Sequence, residues 1–114
     1  MSTRSTISVI QRDGSVKSVY CHWDGYTDGV GKELINNFNT ERLANKVISE
    51  GSISSITDSY IDSYHSKRGE DIDIKQYLSL ERFLKSKDSQ QFNYLFKDGE
   101  WLAATDLRYW NVLK

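Results

Sequence analysis

The segment Cys21-His22-Trp23-Asp24 contains the side chains whose types and spacing could support catalysis. A cysteine nucleophile needs an imidazole within hydrogen-bonding distance to take up its proton. Neighbouring residues of a strand point to opposite faces, so Cys21 and His22 do not form that pair if the segment is extended. Cys21 is then a small buried hydrophobic residue. We therefore predict no catalytic residue here.

A metal site would draw its ligands from the two histidines and the nearby acids, namely His22, His65, Asp24 and Asp28. No His-x-His or His-x-x-x-His spacing is present, and the second histidine is distant in sequence. The single cysteine excludes a Cys-rich zinc site and an internal disulfide. The sequence predicts no metal and no cofactor. A small hydrolase or metal enzyme built on His22 and Asp24 is the least favoured reading.

Three glycines, Gly25, Gly29 and Gly31, precede Lys32 where a strand gives way to a helix. A helix N-terminus after a glycine-rich turn is a favourable place for an anion. The spacing differs from the phosphate-binding GxxxxGK[ST] motif, and Glu33 stands where that motif needs a hydroxyl. The glycines equally suit a tight reversal of the chain. Contact of Lys32 with a phosphate or nucleotide therefore stays open.

A hairpin positions the first of these side chains. Residues 6–10 and 16–23 alternate around Asp13-Gly14, and a three-residue loop over residues 12–14 pairs Ile7 with Val19. That register places Ile7, Val9, Val19, Cys21 and Trp23 on one apolar face, and Thr6, Ser8, Ser18, Tyr20 and His22 on the opposite face.

The rest of the chain predicts helices followed by a second hairpin. Apolar spacing indicates helices over residues 30–38 and 41–48, the second capped by Thr40 and ended by Gly51. Residues 52–56 suggest a tight turn, residues 57–75 stay ambiguous, and Ser79 can cap a short helix. Asp98-Gly99 predicts a two-residue hairpin turn that pairs Lys97 with Glu100.

These elements predict one α+β domain over residues 1–114: an antiparallel sheet built from two hairpins, with two to three helices packed on one face. Fifteen Lys and Arg against sixteen Asp and Glu give a net charge of −1. That balance excludes a strongly basic nucleic-acid binder and an acidic DNA mimic. No apolar run is long enough for a membrane span and no signal peptide is evident, so we expect the cytoplasm.

Amphipathic aromatic side chains are concentrated between Tyr20 and Tyr26. Exposed aromatic residues are enriched at binding hot spots. The predicted binding residues are Tyr20, His22, Asp24, Tyr26 and Lys32. A structural alternative stays open, in which the helices cover this face, Asp24 caps the turn and Tyr26 packs on the sheet.

The run Tyr20-Cys21-His22-Trp23-Asp24-Gly25-Tyr26, with Gly29-Val30-Gly31 after it, resembles a family of small accessory proteins of tailed bacteriophages and prophages. Residues 51–56 and 94–101 are similar to that family as well. The resemblance implies a genomic setting and transfers no catalytic residues.

In that setting we expect a non-enzymatic protein that binds and inhibits a host or defence-system protein in the host cytoplasm, a counter-defence role like that of anti-CRISPR proteins. The alternative is a small-ligand binder, such as a sponge for a nucleotide signal, with Lys32 on the phosphate and Tyr26 or Trp23 stacked on the base. A homodimer stays open in either case.

Overall fold

The first hairpin joins β1 (Ser5–Ile10) to β2 (Val16–Cys21) in the computed structural model, which describes residues 3–113. Gly14 adopts a left-handed φ of +89°, which glycine tolerates at little steric cost, and closes the three-residue loop. Ile7 lies opposite Val19. The predicted register is confirmed.

Six further strands extend this hairpin into a mixed sheet. They are β3 (Ile53–Thr57), β4 (Tyr60–Ser63), β5 (Lys75–Tyr77), β6 (Phe92–Lys97), β7 (Glu100–Ala104) and β8 (Asn111–Val112). The strand order is β4-β3-β2-β1-β6-β7-β8, and β5 pairs with β2 off this path. The β1–β6 and β2–β3 pairs are parallel, so the sheet is larger than two hairpins and not purely antiparallel. The α+β class is confirmed.

The helices are short. A π-helical turn (Thr27–Gly31) continues directly into α1 (Lys32–Asn37), and α2 (Glu41–Ile48), α3 (Tyr64–Arg68) and α4 (Leu80–Leu84) follow. Side-chain oxygens of Thr40 and Ser79 accept hydrogen bonds from the first turns of α2 and α4, which confirms both predicted caps. None of the helices formed by residues 3–113 is long and apolar enough to cross a bilayer.

The main core lies between the sheet and the helices α1 and α2. Ile7 and Val19 from the sheet pack with Leu34 and Val47 from the helices, and all four side chains are buried. A smaller cluster on the opposite face joins Val16, Leu95 and Phe83. The helix α4 therefore covers the second face, whereas the sequence predicts helices on one face only.

The strand β3 replaces the tight turn expected over residues 52–56. Ile53 and Ile56 are both buried although their odd spacing does not fit regular strand alternation. A register shift between Ile53 and Ser55 explains this, because a bulge resets which side chains face the core. In the ambiguous segment 57–75, β4 is followed along the chain by α3, which contains Lys67 and Arg68.

Trp23 does not join the apolar face as predicted. β2 ends at Cys21, so the strand alternation stops before the tryptophan is reached. The backbone then follows β3: the His22 N–H donates to the Ile53 carbonyl and the Trp23 N–H to the Ser54 carbonyl, both at 2.9 Å. The indole is 44% exposed as a result.

Candidate binding surface

Three ring systems form a row where β2 ends. The Trp23 ring meets the His22 ring edge-on, with centroids 4.6 Å apart and an interplanar angle of 87°. The Tyr20 ring follows at 5.9 Å from His22. We call Tyr20, His22 and Trp23 the aromatic row. It presents one exposed indole supported by two partly buried rings.

A hydrogen bond fixes the inner half of the aromatic row. The Tyr20 hydroxyl and His22 Nδ1 are 2.6 Å apart. The pKa of Tyr20 is raised from its usual value, chiefly because the phenol is partly buried, and the positive charge of Arg4 opposes that shift. Tyr20 therefore stays a neutral phenol at physiological pH, beside an exposed cation.

Asp24 shapes the turn through its backbone. Its φ is +56°, a left-handed conformation that aspartate tolerates better than most residues. Its carbonyl accepts a hydrogen bond of 2.8 Å from the Val30 N–H, which ties the end of β2 to the π-helical turn. The predicted structural role of Asp24 in the turn therefore has a geometric basis.

The three glycines are explained by close packing. A Cβ on Gly29 would lie 2.3 Å from the Asp24 carbonyl oxygen, and one on Gly25 would lie 2.7 Å from the Ser5 Cβ. A Cβ on Gly31 would meet the Tyr94 ring at 3.2 Å. Gly25 and Gly29 therefore exclude larger residues whether or not an anion binds nearby, and a Cβ at Gly31 would require a small shift of the Tyr94 ring.

The four backbone amides from Gly29 to Lys32 are already bonded. The N–H groups of Gly29 and Gly31 donate to the Tyr26 carbonyl, and that of Val30 donates to Asp24. The Lys32 N–H reaches the carbonyls of Thr27 and Gly29. α1 begins at Lys32 as expected, but the π-helical turn before it leaves none of these four amides open to an anion.

We expect Gly29→Ala to lower the free energy of unfolding by about 2–3 kcal/mol, because the added methyl must displace the Asp24 backbone. Urea unfolding measures the change. Gly69→Ala is the matched control, because Gly69 has a left-handed φ of +70° but open space around it. This variant should lose only about 1 kcal/mol of unfolding free energy, from the strained backbone alone. Equal losses in the two variants would contradict the packing explanation.

Tyr26 precedes the π-helical turn and Lys32 follows it, and both residues are exposed. Tyr26 is 41% exposed, so it is not a core residue, and more than half of its surface is covered by the rest of the protein. Within residues 3–113 no ring contact or hydrogen bond joins Tyr26 or Lys32 to the aromatic row. The structure thus groups Tyr20 and His22 with Trp23, a residue the sequence reading assigned to the core.

Cys21 lies beneath the aromatic row as a buried thiol. Burial raises its pKa to about 12, so the thiol keeps its proton near neutral pH. Its sulfur lies 3.7 Å from the Trp23 carbonyl oxygen, to which the thiol can donate. This geometry gives Cys21 a packing role and no nucleophilic one.

The metal-ligand set considered from the sequence is not assembled. His65 lies on α3, where its Nδ1 is 2.8 Å from the Glu70 carbonyl oxygen. Across residues 3–113, no group of three His, Cys, Asp or Glu side chains lies close enough together to hold a metal ion.

Scans against protein-family models, curated proteins and solved structures found no match to this chain.

Proposed function

We propose that this chain is a non-enzymatic accessory protein of bacteriophage origin that binds and inhibits a host or defence-system protein through the aromatic row. The observation that carries the proposal is Trp23: its indole is 44% exposed although its backbone is hydrogen-bonded to β3. Tryptophan is among the residues most enriched at binding hot spots. An exposed indole on a fixed backbone is suited to insertion into a partner's pocket.

The neighbours of Trp23 order its side chain before binding, so less conformational entropy is lost when a partner docks. His22 packs against the indole, and the Tyr20 hydrogen bond in turn holds His22. Side chains that are already ordered lose less conformational freedom when a partner docks. The indole N–H also supplies a polar group within a largely apolar contact.

Charge near the aromatic row indicates the chemistry of the partner surface. The positive charge of Arg4 is close enough to Tyr20 to oppose the rise in its pKa. The guanidinium of Arg68 lies 5.2 Å from the centre of the Tyr64 ring. Tyr64 is itself close enough to influence the Tyr20 phenol. Arg68 also pairs with Glu70, and the exposed Asp24 directly follows Trp23, so we infer that the partner presents an apolar pocket with charged groups of both signs at its rim.

The resemblance to tailed-phage accessory proteins supports the counter-defence setting. Its Tyr-x-His-Trp-Asp-Gly-Tyr motif divides into two groups in the structure. Asp24 and Gly25 shape the turn, and the aromatic members Tyr20, His22 and Trp23 form the row. A motif that fixes a turn and displays rings on it fits a binding role.

The nucleotide-sponge alternative has less support. It relied on backbone amides near Lys32, and those amides are bonded within the turn. Stacking of a base on Trp23 would still be sterically open, because the indole is exposed. Thermal stabilisation by cyclic oligonucleotides would favour this alternative over protein binding.

The proposal is tested by affinity capture from bacterial host lysate, followed by binding measurements with the purified captured protein. We expect His22→Ala and Trp23→Ala to lose that protein while the melting temperature changes by no more than about 4 °C. Tyr109→Ala is the matched control, because Tyr109 is exposed next to β8 at the far edge of the sheet. Retention of the partner by both variants would overturn the proposal.

A further inference from the structure

A polar cleft opens where two strands diverge from β2. β5 pairs with β2 only from Val16 to Ser18, and β3 pairs with it only at Cys21. Between these contacts the edge of β2 at Val19 and Tyr20 has no strand partner. A cleft of about 220 Å³ lies at this gap, on the face opposite α1 and α2.

Ser18 forms a buried polar part of the cleft wall. Its side chain is 5% exposed and its hydroxyl shares one hydrogen bond of 2.8 Å with Ser8. A hydroxyl carries one donor and two acceptor sites, so this single bond leaves Ser18 able to bond to an occupant of the cleft. Gln90, whose carboxamide both donates and accepts, also lines the cleft.

Two carboxylates and one ammonium give the cleft its charge. Asp88 is held by Lys75 at 3.0 Å and by the Tyr77 hydroxyl. These hydrogen bonds, that of Tyr77 first, keep the pKa of Asp88 below its usual value. Asp73 is the second carboxylate, and with Lys75 the three groups sum to one negative charge. A phosphate or carboxylate ligand would be repelled.

We propose that this cleft binds a neutral, hydroxyl-rich molecule the size of a single sugar ring. Asp73 and Asp88 would accept hydrogen bonds from ligand hydroxyls, Ser18 and Gln90 would complete the polar contacts, and the Tyr20 ring would pack on C–H groups. Pockets for drug-sized ligands are about 300–1,000 Å³. The cleft is smaller, so its occupant is restricted to about the size of a single sugar ring.

This chemistry has two sources, a free monosaccharide or the ribose of a nucleoside. The test is a titration of ¹⁵N-labelled protein with D-glucose, D-ribose or adenosine, followed through the amide signals of Ser18 and Gln90. We expect saturable shifts with at least one probe. Saturation by adenosine and ribose identifies the nucleoside source, and saturation by glucose identifies the free sugar.

Asp73→Asn should lower the binding affinity for the saturating probe at least about tenfold, because the amide replaces one acceptor oxygen with a donor. Asp71→Asn is the matched control, because Asp71 is exposed and does not line the cleft. Absence of saturable shifts with all three probes, or equal affinity in Asp73→Asn and the wild type, would overturn the inference. Tyr20 belongs to both the cleft and the aromatic row, but Asp73 lies only in the cleft, so Asp73→Asn should still capture the partner protein.

Discussion

Trp23→Ala is expected to weaken binding of the captured partner protein at least about thirtyfold, a loss of about 2 kcal/mol or more, as for an interface hot spot. The free energy of unfolding should change by less than about 1 kcal/mol, because the indole is 44% exposed and its main support is the edge of His22. Isothermal titration calorimetry and urea unfolding measure the two quantities separately.

Trp23→Phe tests whether the indole itself is needed. Phenylalanine retains a ring against His22 but lacks the N–H group and part of the apolar area, so binding should be intermediate between the wild type and Trp23→Ala. A Trp23→Ala protein that binds normally would contradict the assignment of the aromatic row. So would a Trp23→Ala protein destabilised by several kcal/mol, because that would make Trp23 a core residue.

The hairpin registers could be predicted because turn chemistry is local. Gly14 and Gly99 both adopt left-handed φ values, and each follows an aspartate between two alternating runs. The same dipeptide lies in a three-residue loop in one hairpin and in a two-residue turn in the other. The apolar alternation of the flanking strands decides between the two loop lengths, and the loop length sets which side chains share a face. Ile7 therefore lies opposite Val19, and Lys97 lies opposite Glu100, as predicted.

The strand β3, which the sequence pattern did not predict, shows where local patterns are insufficient. Ile53 and Ile56 are three residues apart, a spacing that indicates neither a strand nor a long helix. The bulge that reconciles them depends on the pairing of β3 with β4, a contact that is not visible in a single segment. The parallel pairing of β1 with β6 spans more than 80 residues and left no local signal either.

The candidate surface was predicted only in part, because alternation within one segment does not show where a strand ends. Alternation correctly placed Tyr20 on the face opposite Cys21, but it carried the strand two residues too far at Trp23. The Asp24-Gly25 turn directly after Trp23 was the signal that the strand ends earlier. Burial of Thr6, Ser8 and Ser18 could not be predicted from the hairpin, because it depends on distant segments such as β5 beside Ser18 and Asn93 beside Thr6.

Tyr94→Ala should destabilise the fold by about 3–5 kcal/mol, a large part of the stability of a small domain. Tyr94 is fully buried in the main core, on the strand β6 beside β1. Its ring packs against Gly31, and its hydroxyl donates a 2.6 Å hydrogen bond to the Gly25 carbonyl. Urea unfolding of the variant and the wild type gives the difference.

Tyr94→Phe separates the hydrogen bond from the packing. Removal of the hydroxyl leaves the Gly25 carbonyl without this buried donor, which should lower the free energy of unfolding by about 1–3 kcal/mol. Tyr109→Phe, at an exposed tyrosine, should leave the stability unchanged. If the two phenylalanine variants unfold alike, the Tyr94 hydroxyl does not hold the turn.

The same variant links the core to the aromatic row. Gly25 lies between Trp23 and Tyr26, so the Tyr94 hydroxyl fixes the turn that follows the exposed indole. A looser turn would increase the freedom of that segment before binding, and the partner would have to restore the order at a loss of affinity. Tyr94→Phe should therefore weaken partner binding although Tyr94 is buried and contacts no partner. An unchanged affinity in a destabilised Tyr94→Phe protein would show that β3 alone holds Trp23 in place.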